Sequence, residues 1–288
     1  MQPDGNQRGY LYERFRLFHT VDQQVLDVGW HYHAFDKLVF FIGGHAEYTV
    51  ESETVQLVPG DLILVAYGQL HKMHADEDIP YERYILYLDS GYLSAQAAEA
   101  GGLNACFARA RRDGHCLLRL SDADRAAVYQ LFVRLEKALK DDSPYGPALS
   151  EALLTELMIL ICRLPEEKEE PTLVAADTDE KIQQALHYIQ SHLGANLSCD
   201  ALASRLYMSR SSFQHRFKAA TGYAPHTYIR LKRLLYASEL LADGEPALSA
   251  GRKCGYTDHS AFCHAFAAQF GMTPSAYRPR NSLIGPDE

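Results

Sequence analysis

Gln214 and His215 sit side by side in a stretch whose polar residues are of the kinds that read a nucleic acid. The carboxamide of Gln214 offers a donor and an acceptor that match the edge of adenine, and an imidazole such as His215 donates to guanine. Arg210 and Lys218 bring cations suited to phosphate, and Ser211 adds a hydroxyl. A second polar set, His259, Ser260, Cys263 and His264, follows at an offset of 49 residues.

Such groups act together only when a scaffold holds them on one face. A helix from Arg210 to Ala220, capped by Ser209, turns Phe213 and Phe217 inward at i and i+4 and leaves Arg210, Ser211, Gln214, His215 and Lys218 outside. Before it, Ser198 caps a helix running from about Cys199 to Leu206, and Tyr207-Met208 makes a short turn. Helix, tight turn and a second helix with a polar outer face is the helix-turn-helix pattern. The second copy repeats it: Ala250 to Cys254, a turn at Gly255-Tyr256, then a helix capped by Asp258 with Phe262 and Phe266 inward. Between the copies, Pro225 suits a first helical position, and His226 to Leu241 has no breaker. That spacer spans about 25 Å, a size that places two recognition helices in successive major grooves about 34 Å apart.

The repeat is internal and specific. Seven residues recur at the 49-residue offset: Ser211, Phe213, His215, Phe217, Gly222, Pro225 and Tyr228 with Ser260, Phe262, His264, Phe266, Gly271, Pro274 and Tyr277. Two copies are too few for a solenoid and point to duplication of one compact unit. Leu202-Ala203, Ser209, Phe213, Phe217-Lys218, Gly222 and Pro225 in the first unit, and Gly255-Tyr256, Asp258, Ser260, Phe262, Phe266, Gly271, Thr273-Pro274 and Tyr277-Arg278 in the second, closely resemble the AraC family of transcription regulators, over about Glu180 to Arg280. The resemblance puts base reading at Ser211, Gln214 and His215, and in the second helix at His259, Ser260, Cys263 and His264. Two departures stand out. Gly251-Arg252 replaces a small apolar pair, and Ala267 replaces the basic residue after the second Phe, which predicts a looser second unit with a weaker phosphate contact.

The rest of the chain reads differently. From Tyr10 to Leu88, short β-branched and aromatic segments alternate with Gly, Pro and Asp turns, the pattern of an antiparallel sheet closed into a small barrel or sandwich. Apolar residues at helical spacing in Leu120 to Leu139 and Pro147 to Leu164 predict a helical hairpin. The segment 165–179, with its charge run and two prolines, reads as a linker. The expected fold class is therefore α+β: a cupin-like antiparallel β-barrel over 1–119 with a helical dimerisation hairpin over 120–164, and an all-α double helix-turn-helix domain over 180–280.

His31-Tyr32-His33, Gly43-Gly44, Pro59-Gly60-Asp61 and His71 resemble the two motifs of cupin barrels, which the AraC family uses as its effector-sensing half. In metal-binding cupins a Glu joins these histidines, but here Lys37 or Leu38 stands at its place and Asp36 is one residue out of register, which turns it to the other strand face. Three readings of His31, His33 and His71 stay open: a three-imidazole zinc or iron site, the lining of a small-molecule pocket with Tyr32, Tyr48 and Tyr67 nearby, or histidines satisfied by backbone groups. The effector reading takes His31, His33, Lys37, Tyr48 and His71, with no metal and no other cofactor. If Lys37 points inward, it favours an anion such as an organic acid or a phosphorylated sugar.

Composition bounds the function. The 288 residues are 47% apolar and 23% charged, ordinary for a globular protein, with no apolar run near membrane length. The net charge of −9 hides a split, because residues 179–280 carry 12 basic against 7 acidic side chains. Six cysteines without C-x-x-C spacing suit a reduced compartment, the cytoplasm. The sequence reads as a DNA-binding transcription regulator responding to a small effector such as a sugar or organic acid. Double-stranded DNA, a second copy of the chain and RNA polymerase are its expected partners, and a membrane is not. The rival reading is a metal-dependent cupin enzyme fused to a DNA-binding domain.

Overall fold

The computed structural model describes residues 8–51, 53–76, 79–164 and 179–277. The expected linker, 165–179, lies outside them except for Asp179, and so does Arg278. The chain divides into two compact units, one within Gly9–Val174 and one within Ala175–Glu288.

In the first unit, β1 (Phe15–Asp22), β3 (Asp36–Gly43), β6 (Leu62–Val65), β8 (Tyr81–Leu88) and the short β9 (Leu117–Leu118) make a sheet of order β1-β8-β3-β6-β9. A second sheet has the order β2-β7-β4-β5, from β2 (Leu26–His31), β4 (Ala46–Val50), β5 (Glu53–Gln56) and β7 (His71–Ala75). All strand pairs are antiparallel. The closed barrel expected from the sequence is corrected to two separate sheets. The two-residue β9 and four-residue β5 leave few backbone groups at those edges with which to stitch the sheets together.

β3 explains why the run LVFFI carries no polar alternation. Val39 and Phe41 pack toward Tyr48, Val50, Val55 and Met73 of the other sheet. Leu38 and Phe40 pack the opposite way, against α3 (Asp122–Leu139) and α4 (Gly146–Arg163). Buried on both faces, the strand must be apolar throughout. Val128, Leu131, Phe132, Leu135, Leu153 and Leu157 of the hairpin belong to that same core. Two shorter helices, α1 (Ser90–Ala95) and α2 (Ala105–Asp113), complete the layer.

The second unit is helical: α5 (Glu180–Ser191), α6 (Cys199–Arg205), α7 (Arg210–Thr221), α8 (Pro225–Ala242), α9 (Ala247–Lys253) and α10 (His259–Phe270). Asp179, Ser198, Ser209 and Asp258 cap α5, α6, α7 and α10 through their side-chain oxygens. Pro225 opens α8, where its missing N–H costs nothing. Gly222 and Gly271 close α7 and α10 in the left-handed conformation, at equivalent places in the repeat.

Candidate nucleic-acid interface and effector site

Phe213 and Phe217 are buried and lean on each other, and Phe217 meets Tyr228 edge-on. Phe262 and Phe266 repeat the arrangement with Tyr277. With those rings fixed inside, Arg210, Ser211, His215 and Lys218 on α7, and His259, Ser260 and His264 on α10, are exposed. Gln214 and its repeat equivalent Cys263 are only half-exposed. The Gln214 amide reaches the Cys199 sulfur at 3.8 Å, and Cys263 lies 3.5 Å from Nε2 of His259. Arg210 pairs with Asp200 of α6 at 3.2 Å, an exposed contact that a phosphate can replace at little cost.

Three features of this face escape sequence reasoning. Tyr207, in the turn between α6 and α7, takes a positive φ of 54° and is 94% exposed. Asp179, read as linker, caps α5 and also holds the guanidinium of Arg216 on α7, so the first helix is tied to the recognition helix. Arg233 of α8 donates to Leu193 O at 2.9 Å, Ala195 O at 2.7 Å and Gly255 O at 3.4 Å. It thereby clamps the loop ahead of α6 to the turn ahead of α10. A Cβ on Gly255 would lie 2.7 Å from that guanidinium, so the Gly in the Gly255-Tyr256 motif makes room for the clamp. Gly251 has a similar cause: a Cβ there would fall 2.9 Å from the Phe262 ring. The predicted looseness of the second unit is not seen at this point, where ring and backbone are in close contact.

In the first unit the register of β2 and β7 sets His31 opposite His71. Their ring centroids are 4.0 Å apart, and His33 lies 5.0 Å from His31 and 4.8 Å from His71. All three are buried. Nδ1 of His31 meets Gly29 O at 2.8 Å, and Nδ1 of His71 meets Gln69 O at 3.1 Å. A carbonyl only accepts, so each Nδ1 carries the proton and each Nε2 presents a lone pair.

Lys37 shares the parity of Val39 and points between the sheets, its Nζ 3.5 Å from Nε2 of His71 and 5.7 Å from the Tyr48 ring centre. Asp36 faces the other way and accepts from Tyr67 N at 2.8 Å. Burial, and then the Arg83 guanidinium, brings the Lys37 amine down to about 7. Burial first, then Lys37, His33 and His31, holds the His71 imidazole well below its ordinary value, so it stays neutral. The Tyr48 hydroxyl is buried without a hydrogen bond, and burial pushes its ionisation up. His33 stacks on Phe35 at 4.7 Å and meets Tyr87 at 5.6 Å, neighbours not anticipated from Tyr32 and Tyr67.

The donor atoms of His31, His33 and His71 lie within 4.8 Å of one another, close enough to converge on one cation. A lysine amine stands at that point where metal-binding sites place a carboxylate. Among the described residues Lys37 has no carboxylate at ion-pair distance, and Arg83 takes Asp22. The cluster is therefore electropositive whenever the amine is protonated.

Comparison with known proteins fits both halves. Residues 17–158 match the AraC-like ligand binding domain family, and residues 202–280 match a helix-turn-helix domain family. The chain is 27% identical over 254 residues to a probable transcriptional regulator, LumQ, of Photobacterium leiognathi, covering 86% of this chain and 91% of that one. It is 28% identical over 259 residues to the transcriptional activator RhaR of Pectobacterium atrosepticum, covering 87% and 86%. A solved AraC-type transcriptional regulator from Chromobacterium violaceum aligns at 25% identity and a TM-score of 0.35, covering 38% of this chain and 99% of that one. The protein has the class of a ligand-responsive, DNA-binding regulator. It belongs to the AraC family of transcription regulators, and that family places it apart from the cupin-enzyme alternative.

Proposed function

We propose that the first unit binds an organic anion, an organic acid or a phosphorylated sugar, through His31, His33, Lys37, Tyr48 and His71, and that no metal is obligatory. The observation that carries this reading is the Lys37 amine, buried beside a neutral imidazole without a carboxylate partner among the described residues. A buried cation is costly unless paired, and a bound anion supplies the pair. The unbonded Tyr48 hydroxyl adds a donor for the same ligand. The imidazoles touch one another, so the ligand enters by parting them. The experiment is elemental analysis of protein purified without chelator, with thermal shifts against a panel of organic acids and sugar phosphates. Metal-free protein stabilised by one anion supports the reading. Stoichiometric zinc or iron, lost in His33→Ala together with the folded unit, overturns it.

On the DNA side, Ser211, Gln214 and His215, with His259, Ser260, Cys263 and His264, read bases, while Arg210 and Lys218 hold phosphate. The protein works as a homodimer through its helical hairpin, which leaves Leu149 and Ile159 exposed on α4. We read the dimer as two bipartite readers on repeated half-sites, with RNA polymerase as a further partner and the cytoplasm as its compartment. No helix among the described residues is long and apolar enough to cross a membrane.

A further inference from the structure

A groove between α5 and the end of α6 lies wholly within the helical unit and contains none of the residues assigned to base reading or to the effector. Its volume is about 880 Å³, room for several side chains of a docked segment. Gln184, His187, Tyr188 and His192 form one wall and Arg205 and Tyr207 the other, and no Asp or Glu is among the lining residues. The guanidinium of Arg205 lies over the Tyr188 ring, 4.0 Å from its centre, and that ring stacks on His192 at 4.1 Å. Nδ1 of His192 meets Tyr188 O at 3.0 Å, which fixes the imidazole in the stack. Arg205 is exposed, and among the described residues no carboxylate pairs with it. A planar cation held flat on an aromatic face keeps its N–H edge open for a bidentate carboxylate.

Tyr207 supplies a second, independent observation. The turns that lead into the two recognition helices close alike. Tyr207 N bonds Ser204 O at 3.2 Å and Met208 N bonds Ala203 O at 2.9 Å, while Gly255 N bonds Arg252 O and Tyr256 N bonds Gly251 O, both at 3.0 Å. Tyr207 and Gly255 therefore hold the same place in the two copies, and both take a positive φ, 54° and 81°. Glycine adopts that conformation freely, whereas the Cβ of a tyrosine crowds its own backbone there. Packing does not offset the strain, because the Tyr207 side chain is 94% exposed. A strained, exposed aromatic beside an arginine without a counter-ion marks a contact with something outside the chain.

We propose that this groove docks an acidic peptide segment of a partner protein, with a carboxylate on Arg205 and a neighbouring apolar side chain against Tyr207. Charge complementarity selects the acid, since the walls offer a guanidinium, imidazoles, hydroxyls and amides but no anion. Tyrosine and arginine gathered in one small patch are the side chains that dominate protein–protein contacts, which favours a protein over the phosphates of a duplex. Position agrees with this choice. Arg210 and Gln214 reach Asp200 and Cys199 at the start of α6, so DNA read by α7 engages the opposite end of α6 from the groove.

The test uses the full chain and a short fluorescein-labelled peptide of Glu, Asp, Phe and Leu, with a twin in which Gln and Asn replace the acids, both titrated by fluorescence anisotropy at low salt. The acidic peptide should bind about tenfold tighter than its twin, and Arg205→Gln and Tyr207→Gly should each weaken it by about tenfold. Tyr207→Gly relieves the backbone strain, so its melting temperature should equal or exceed that of wild type while peptide binding falls. A short non-specific DNA duplex should bind wild type and Tyr207→Gly alike. Equal binding of the two peptides, an acidic peptide held as tightly by either variant as by wild type, a Tyr207→Gly variant that melts below wild type, or one that loses the duplex along with the peptide overturns the proposal.

Discussion

Nζ of Lys37 lies 3.5 Å from Nε2 of His71 in a layer closed to solvent between the two sheets. The amine titrates near 7 when folded, against an ordinary value of 10.5 that the unfolded chain restores. Between those values the unfolded chain binds more protons, so stability rises with pH there. The cost of burying the charge is fully present below about pH 7 and gone above the unfolded value. Lys37→Met removes this term. The variant should be the more stable at pH 6, and wild type should gain on it by up to about 1.4 kcal/mol per pH unit from pH 7 upward. Parallel curves from denaturant melts across that range would contradict the assignment.

Gln214→Ala should cost about 1–3 kcal/mol in operator binding and relax choice at one base pair. Its half-buried side chain must leave Cys199 to reach a base. Uniform weakening over all operator variants would remove Gln214 from the reading set. Lys218→Ala should instead lower affinity evenly and reduce the slope of log affinity against log salt by about one.

Arg233→Ala releases the loop at Leu193–Ala195 from Gly255 without touching either recognition helix. Binding to a complete bipartite operator should fall by about tenfold or more, which is about 1.4 kcal/mol, while binding to an isolated half-site changes little. Equal losses on both DNAs, in gel-shift titrations, would mean that the residue serves folding alone.

Gly251→Ala isolates the packing of the second unit. In an open helix this exchange stabilises by up to about 1 kcal/mol. Here the added Cβ meets the buried Phe262 ring at 2.9 Å, so the expected outcome is a loss of about 1–3 kcal/mol by overpacking. A melting temperature above wild type would refute the close contact.

Association through the hairpin should respond to charge at its exposed apolar residues. Sedimentation of wild type at micromolar concentration should give a dimer, and Leu149→Glu with Ile159→Glu a monomer with unchanged secondary structure. A wild-type monomer, with and without DNA, would refute the dimer.

The DNA-binding half was legible in the sequence because its information is local. Caps at Ser198, Ser209 and Asp258, the Phe213/Phe217 and Phe262/Phe266 pairs at i and i+4, and the closing glycines each act within one or two turns, and duplication displays them twice. The short β segments and the helical hairpin were visible for the same reason. Closure of the sheets was not, because it depends on whether edge strands are long enough to meet, which no strand reveals about itself. Tertiary structure alone decided that His31 faces His71 across a strand pair, that Lys37 rather than Asp36 enters the same layer, and that Arg233 bridges to Gly255. Each is a contact between segments 22 to 40 residues apart whose partners carry no mutual signal in the chain.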